Sequence, residues 1–434
     1  MNNHGLRIRA AVLLLVFFLF SCGKVVTVVE SPSPPVAEAR KVKEVPLPEI
    51  KPPVIVPQAE KKEAVPVAGP DRNAVGCLLP LSGVYGDYGN RALDAILLAA
   101  GIFDGKKKTP WKIVAEDSRG SAEQINSAIA RLVQKENIIA LIAVAGTTEA
   151  AVFAKEAGKW KVPLILITAK EGITDENDYV FQNFLTPTQQ MEALARYVVS
   201  DLNHAIFAIL YPQDDYGTEM MKIFRTEVER MGGRVERAVP YGKKQADFTA
   251  EIDKITKNSV SAAKKANAEN PETKVPVSID FEALFIPDSS LRVKMMAAQL
   301  AFHDVKGFPL LGTSLWNVSD LLKKGAEYLE GAVFPDSFFL SSFYPEVNDF
   351  IDVYYTAYGR EPENIDALSY DTMGMIISVL RDENIKTHEQ VVAGLKRLEN
   401  YQGATGNTSF AGNRAAKKTA FILRVKSGKL EQVK

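Results

Sequence analysis

From Asn73 onward, short apolar runs alternate with longer stretches whose apolar residues recur every three or four positions, and few architectures accept that rhythm. The runs at 74–80, 111–117, 138–144, 162–168, 205–211, 283–287 and 308–312 have strand length and end in turn or polar residues. Between them the spacing is helical. Ser121-Ala122-Glu123-Gln124 has the form of a capping box ahead of Ile125, Ile129, Leu132 and Val133, and Met220, Phe224, Val228 and Met231 share one face after Asp215. Strand then helix, repeated, requires parallel sheets covered on both faces and joined by right-handed crossovers. About 360 residues of such structure exceed one core, so the expected fold is α/β with two doubly wound lobes. Further helices are expected near 343–354 and 367–380, with a closing strand at 419–425. Residues 257–279 show no period and read as a mobile surface insertion without function. No internal sequence repeat is visible.

The N-terminal region has a different character. Arg7 and Arg9 precede an unbroken apolar stretch of 11 residues, Ala10 to Phe20. A hydrocarbon core needs about 20 helical residues, so the stretch fits a removable signal segment, 1–21, rather than a permanent span. Leu19-Phe20-Ser21-Cys22-Gly23 resembles the lipobox of bacterial lipoproteins, although Phe20 is unusual there. That resemblance implies lipidation of Cys22, with acyl chains contributing roughly 0.8 kcal/mol per buried CH₂; a plain secretory signal with an incidental cysteine is the alternative. The expected location is the periplasm, and Gly23, in place of the aspartate that in some bacteria retains lipoproteins at the inner membrane, points to the outer one. Residues 22–72 read as a tether, since 23–72 hold ten of the 23 prolines and no aromatic residue. In polyproline II form they reach on the order of 150 Å.

Charge and chemistry exclude several classes. The 52 Lys and Arg balance 53 Asp and Glu, so no basic excess suggests a nucleic-acid partner. Cys22 and Cys77 cannot build a disulfide framework or a zinc site, and Cys77, in an apolar strand run, reads as packing. His204, His303 and His388 have no paired-ligand spacing, and His4 lies in the signal segment. There is no GxSxG elbow, dinucleotide fingerprint or Walker loop. No enzyme, metal or cofactor is expected.

Four motifs then narrow the reading. Leu79-Pro80-Leu81-Ser82-Gly83-Val84-Tyr85-Gly86-Asp87-Tyr88-Gly89 follows a strand and opens a helix; Ala145-Gly146-Thr147-Thr148 comes next, then Val162-Pro163-Leu164-Ile165 running into Thr168-Ala169-Lys170, then Tyr211-Pro212-Gln213-Asp214-Asp215-Tyr216-Gly217. In order and spacing they resemble the periplasmic leucine/isoleucine/valine-binding protein family. The resemblance covers about 73–425 and implies a type I periplasmic binding fold: two lobes joined by three crossing segments, holding a small ligand between them. Lobe 1 is expected at about 73–185 and 336–405, lobe 2 at about 186–335 and 406–434.

The resemblance also implies site residues. Thr147, beside Thr148 at a helix mouth, aligns with the family serine that binds the ligand's carboxylate; as a helix N-cap it would also contribute about 1 kcal/mol on its own account. Thr168 aligns with a backbone contact, and Tyr88 and Tyr216 with aromatic walls from either lobe. Lys170 departs from the family's hydroxyl residue: either the ligand carries extra negative charge, or Lys170 pairs internally with Glu171. After the expected strand 308–312 stands Thr313-Ser314-Leu315-Trp316-Asn317, without the acidic residue that neutralises an ammonium. Asp288 could replace it or cap a helix, and Trp316, expected exposed at a strand end, could stack on a ligand or close the cleft. The expected function is therefore a lipid-anchored solute-binding protein of the ABC-transporter type, taking a small polar or anionic, amino acid-like ligand and meeting a permease. The alternative is a lipoprotein resembling the activators of penicillin-binding proteins, suggested by 169–174 and 183–187 and the long tether, whose partner would be a peptidoglycan synthase.

Overall fold

The computed structural model describes residues 69–103, 108–119, 121–270, 272 and 274–434. The expected signal segment, the lipidation site Cys22 and the tether up to residue 68 lie outside the described residues.

Five strands, β1 (Asp71–Leu79), β2 (Lys112–Asp117), β3 (Ile138–Val144), β4 (Leu164–Ile167) and β5 (Val180–Gln182), form an all-parallel sheet in the order β2-β1-β3-β4-β5. Central β3 is buried throughout, which is why it reads as a continuous apolar run. Side chains divide with period two: Val75, Cys77 and Leu79 pack toward one face, Ala74 and Leu78 toward the other. The first face is covered by α1 (Gly86–Ala99), α10 (Asn364–Leu380) and α11 (His388–Lys396), the second by α2 (Ala122–Gln134) and α3 (Ala150–Trp160). Cys77 is fully buried, and desolvation pushes its thiol up to about 12, so it is an inert packing residue.

The second half repeats the topology. β6 (Ile206–Pro212), β7 (Arg234–Tyr241), β8 (Ala283–Phe285), β9 (Leu310–Leu311) and β10 (Val333–Asp336) are parallel in the order β7-β6-β8-β9-β10, the same winding as the first sheet. Two antiparallel strands, β14 (Phe421–Lys426) and β15 (Lys429–Gln432), extend it beyond β10. The two faces carry separate apolar clusters. One includes α4 (Pro187–Arg196) and α5 (Asp215–Arg230); the other includes α6 (Thr249–Ile255), α8 (Ser290–Phe302) and α9 (Pro345–Tyr358). Caps mark the entries: Ser121, Thr186 and Asp214 accept from the backbone N–H three residues on. In both halves a helix glycine passes over the proline that ends a strand. A Cβ at Gly89 would stand 2.1 Å from the Pro80 carbonyl oxygen, and one at Gly217 2.3 Å from that of Pro212.

Some expectations are corrected. The supposed loop at 257–279 contains α7 (Ser259–Glu269), in which only Val260 and Ala263 are buried; alanines supply helix propensity where the apolar period is too faint to read. The run 308–312 shrinks to a two-residue strand. Thr147 does not cap α3, whose N-cap position is Glu149, without a side-chain cap bond.

Buried polar groups tie the crossing segments together. Lys418 Nζ donates to Asn183 Oδ1 at 2.9 Å, to Thr405 Oγ1 at 2.8 Å and to Thr408 Oγ1 at 2.7 Å, so its three donors are all used. Thr405, in turn, donates to the buried Asp371 carboxylate of α10, which also accepts from the Ala404 and Thr405 amides at 2.8 Å each. Asn183 begins the passage from β5 to α4, whereas Thr408 and Lys418 lie on β12 (Gly406–Ser409) and β13 (Lys417–Lys418), which with β11 (Tyr401–Gly403) form a small third sheet. Replacing Lys418 by Met leaves Asp371 and three hydroxyl or amide oxygens without their cation. The expected loss is about 3–5 kcal/mol, read as a lowered urea midpoint.

Candidate functional site

In a parallel sheet with this winding, the chain leaves β1 and β3 in opposite directions, and the loops beyond their C-terminal ends part to form a crevice. The first sheet has one there, a cleft of about 450 Å³. Pro80 follows β1, Ser118 follows β2, Ala145 to Glu149 follow β3, and Thr168 and Ala169 follow β4; Tyr85, Tyr88, Phe153 and Phe184 supply aromatic walls. Its floor is held from below. Asp117 accepts from the Leu81 amide at 3.0 Å and from the Ser82 hydroxyl, fixing the loop after β1. Burial alone would raise the Asp117 carboxyl, but the bonds from Ser82, Arg119 and Leu81 hold it below the usual carboxylate range. The side-chain amide of buried Gln182 donates to the carbonyls of Thr168 at 2.7 Å and Lys170 at 2.9 Å, clamping the loop after β4.

Four of the eight expected ligand residues, Tyr88, Thr147, Thr148 and Thr168, meet in this cleft. Thr147 and Thr148 are exposed, and Thr168 is buried, with its hydroxyl accepting from the Lys170 amide at 3.3 Å. The Tyr88 phenol is pushed up to about 12 by desolvation and then by the carboxylates of Asp366, Glu363 and Asp336. Lys170 is exposed beside the cleft and does not line it. Nor does it pair with Glu171, which instead accepts from the Thr188 amide at 2.7 Å and hydroxyl at 2.9 Å at the start of α4.

The other three, Tyr216, Asp288 and Trp316, gather at the corresponding strand ends of the second sheet. There the crevice between the ends of β6 and β8 is filled from within. Asp288 accepts from the Tyr241 hydroxyl at 2.7 Å and from Arg292 Nε at 3.2 Å, while the Arg292 guanidinium stacks over the Tyr241 and Phe248 rings. Trp316 is not exposed as expected: it is fully buried against Gly312, and its indole N–H donates to the Asp288 carbonyl at 2.9 Å. Tyr216 keeps more than a third of its surface exposed and donates to Thr313 Oγ1 at 3.0 Å; desolvation raises its phenol to about 12.

Sequence reasoning missed the support residues. Gln182 gave no signal, whereas the Asp288–Arg292 spacing of four residues is a recognisable helix pair. Asp336, at the end of β10, was also overlooked. It accepts from Asn317 Nδ2 and from Asn364 Nδ2, each at 2.7 Å, the latter from the α10 helix that packs on the first sheet. Among the described residues no three His, Cys, Asp or Glu side chains are grouped to hold a metal, and no helix is long and apolar enough to cross a membrane.

Two sheets of identical winding, with a crevice at the strand ends of the first, define a bilobal α/β binding protein. The chain belongs to the periplasmic binding protein family, whose model matches residues 74–429, and membership implies a periplasmic location. No curated protein sequence matches it significantly. Solved structures share the fold at low identity. A protein of Rhodospirillum rubrum described as a branched-chain amino acid ABC transporter is 22% identical, over 83% of this chain and 99% of its own, with a TM-score of 0.73. The leucine-binding protein of Thermotoga maritima is 20% identical over 83% and 97%, TM-score 0.59. A solute-binding protein of R. palustris, solved with benzoate, is 16% identical over 83% and 95%, TM-score 0.58.

Asp336 gives the site region a pH signature. Burial raises its carboxyl from 3.8 to about 7, against the opposing hydrogen bonds from Asn317, the Ser337 and Phe338 amides and Asn364. Between those two values the folded chain holds a proton that the unfolded chain has lost, so this contribution is complete below about pH 4 and disappears as pH rises through 7. The fall in urea midpoint between pH 5 and pH 8 is expected to be smaller in Asp336→Asn than in the wild type.

Proposed function

We propose that the protein is the solute-capturing component of an ABC-type uptake system, anchored through a lipid on Cys22, with a small organic molecule seated in the first-sheet cleft and covered by the second lobe. The observation that carries this reading is the open cleft at the β1/β3 crevice, lined by Tyr88, Thr147, Thr148 and Thr168. Clefts of this size, apolar with a few convergent polar groups, are the usual form of small-molecule sites. The benzoate-bound and leucine-binding proteins among the structural neighbours add weight to a small organic ligand. In this scheme Tyr216 meets the solute from the second lobe on closure, Lys170 guards the cleft's edge, and Asp288 and Trp316 shape the surface that closes. An open, aromatic-lined crevice supports solute capture over the alternative of pure contact with a peptidoglycan synthase.

A thermal-shift screen of amino acids, amines and small acids tests the reading. A bound compound at 100 times its dissociation constant should stabilise the protein by about 2.7 kcal/mol and reduce its radius of gyration in solution scattering. Thr147→Ala and Tyr88→Ala should each weaken that compound, whereas absence of any shift across the screen overturns the proposal. Anchoring is tested separately: Cys22→Ala should move the protein from the membrane fraction to the soluble one.

A further inference from the structure

We propose that Glu149 is the charge-selecting residue of the cleft, and that the solute taken there carries a cationic amine on a small apolar body. The inference rests on the reading of the cleft as the solute site and deepens it. Among the residues lining the cleft, Glu149 is the only one with a formal charge at neutral pH; the rest are hydroxyl-bearing, aliphatic, aromatic or backbone in character.

Its position is specific. Glu149 stands at the N-cap of α3 without forming a side-chain cap bond. Its Oε2 lies 2.7 Å from where a Cβ on Gly146 would be, so the carboxylate folds back over the loop after β3. Among the described residues it has neither an ion pair nor a hydrogen-bond donor to its carboxylate, and it is only half-buried, so its oxygens are free to meet a ligand.

The consequence concerns sign. The helix mouth that the family resemblance assigns to a ligand's carboxylate already holds a carboxylate of the chain's own. A second anion there would meet a like charge a few ångströms away in a partly desolvated cleft. An ammonium at the same place would find a counter-charge, the hydroxyls of Thr147 and Thr148, and the faces of Tyr85 and Tyr88, which attract cations as well as covering apolar carbon. Of the second lobe's carboxylates, Asp288 is committed to Tyr241 and Arg292, and Asp336 lies buried among amide donors. Lys170, outside the lining, does not reverse this balance.

Matched probes separate the possibilities without any variant: isoamylamine against 4-methylpentanoate, benzylamine against benzoate, and L-leucine as the zwitterion, each titrated calorimetrically into the purified protein. The amines should bind at least ten-fold more tightly than the corresponding acids. Glu149→Gln should abolish that preference and weaken the amines ten-fold or more, and Glu149→Asp should restore part of it. Tighter binding of the acids, or amine affinity unchanged within two-fold in Glu149→Gln, overturns the assignment while leaving solute capture intact. Failure of every probe to bind removes both.

Discussion

A parallel strand cannot be followed by a tight hairpin; the chain must return across a face of the sheet before it can enter the next strand in the same direction. Every loop that follows a strand therefore lies at one edge, and every helix that follows such a loop points its N-terminus toward that edge. The rest of this molecule follows from having met that constraint twice, with the same winding order. Each sheet acquires a crevice where adjacent connections diverge, and the two crevices have different fates. In the first, glycine, threonines and tyrosines leave about 450 Å³ open. In the second, Tyr241, Asp288 and Arg292 satisfy one another, and Trp316 fills the space that Gly312 leaves.

Buried polar groups hold the crossing segments together. A buried ammonium must be surrounded by oxygens, because an unpaired one is far too costly in an apolar interior. Lys418 takes its oxygens from Asn183 on one passage and from Thr405 and Thr408 on another, and Asp371 on α10 joins through the Thr405 hydroxyl. Desolvation lowers the Lys418 ammonium to about 8 against the opposing pull of Asp371, so the hub holds its charge only through this geometry. Asp336 plays a comparable part on the return passage, where amides from both sides converge on one carboxyl. The connections are thereby pinned at points.

Much of the fold was legible because buried parallel strands and capped amphipathic helices leave strong patterns. The runs at 138–144 and 205–211 became β3 and β6 nearly unchanged. Where burial is partial the pattern weakens: β7, at a sheet edge, buries only Val239 and Tyr241, and α7 buries only two side chains. Of the site, the hydroxyls and Tyr88 could be read from motifs, because motifs preserve residues on loops beside strand ends. Trp316 could not, since the exposure of a strand-end tryptophan depends on whether the chain returns over it; the one local hint was Gly312, four residues earlier. Glu149 was concealed for another reason. Beside two threonines at a helix start it reads as ordinary first-turn chemistry, and only the fold shows that its carboxylate turns back into an open cleft.

The duplicated winding explains why no internal repeat is visible in the sequence. What must recur is a set of distances. Gly89 and Gly217 both sit where a helix crosses the carbonyl of the proline that ends the preceding strand, close enough that any Cβ would collide with backbone. Yet the glycine lies nine residues after Pro80 in one half and five after Pro212 in the other, because a short 3₁₀ turn intervenes only in the first. That extra turn carries Val84 and the cleft-lining Tyr85, both strongly exposed. The difference in spacing that hides the repeat is thus the same difference that gives the first half its additional aromatic wall.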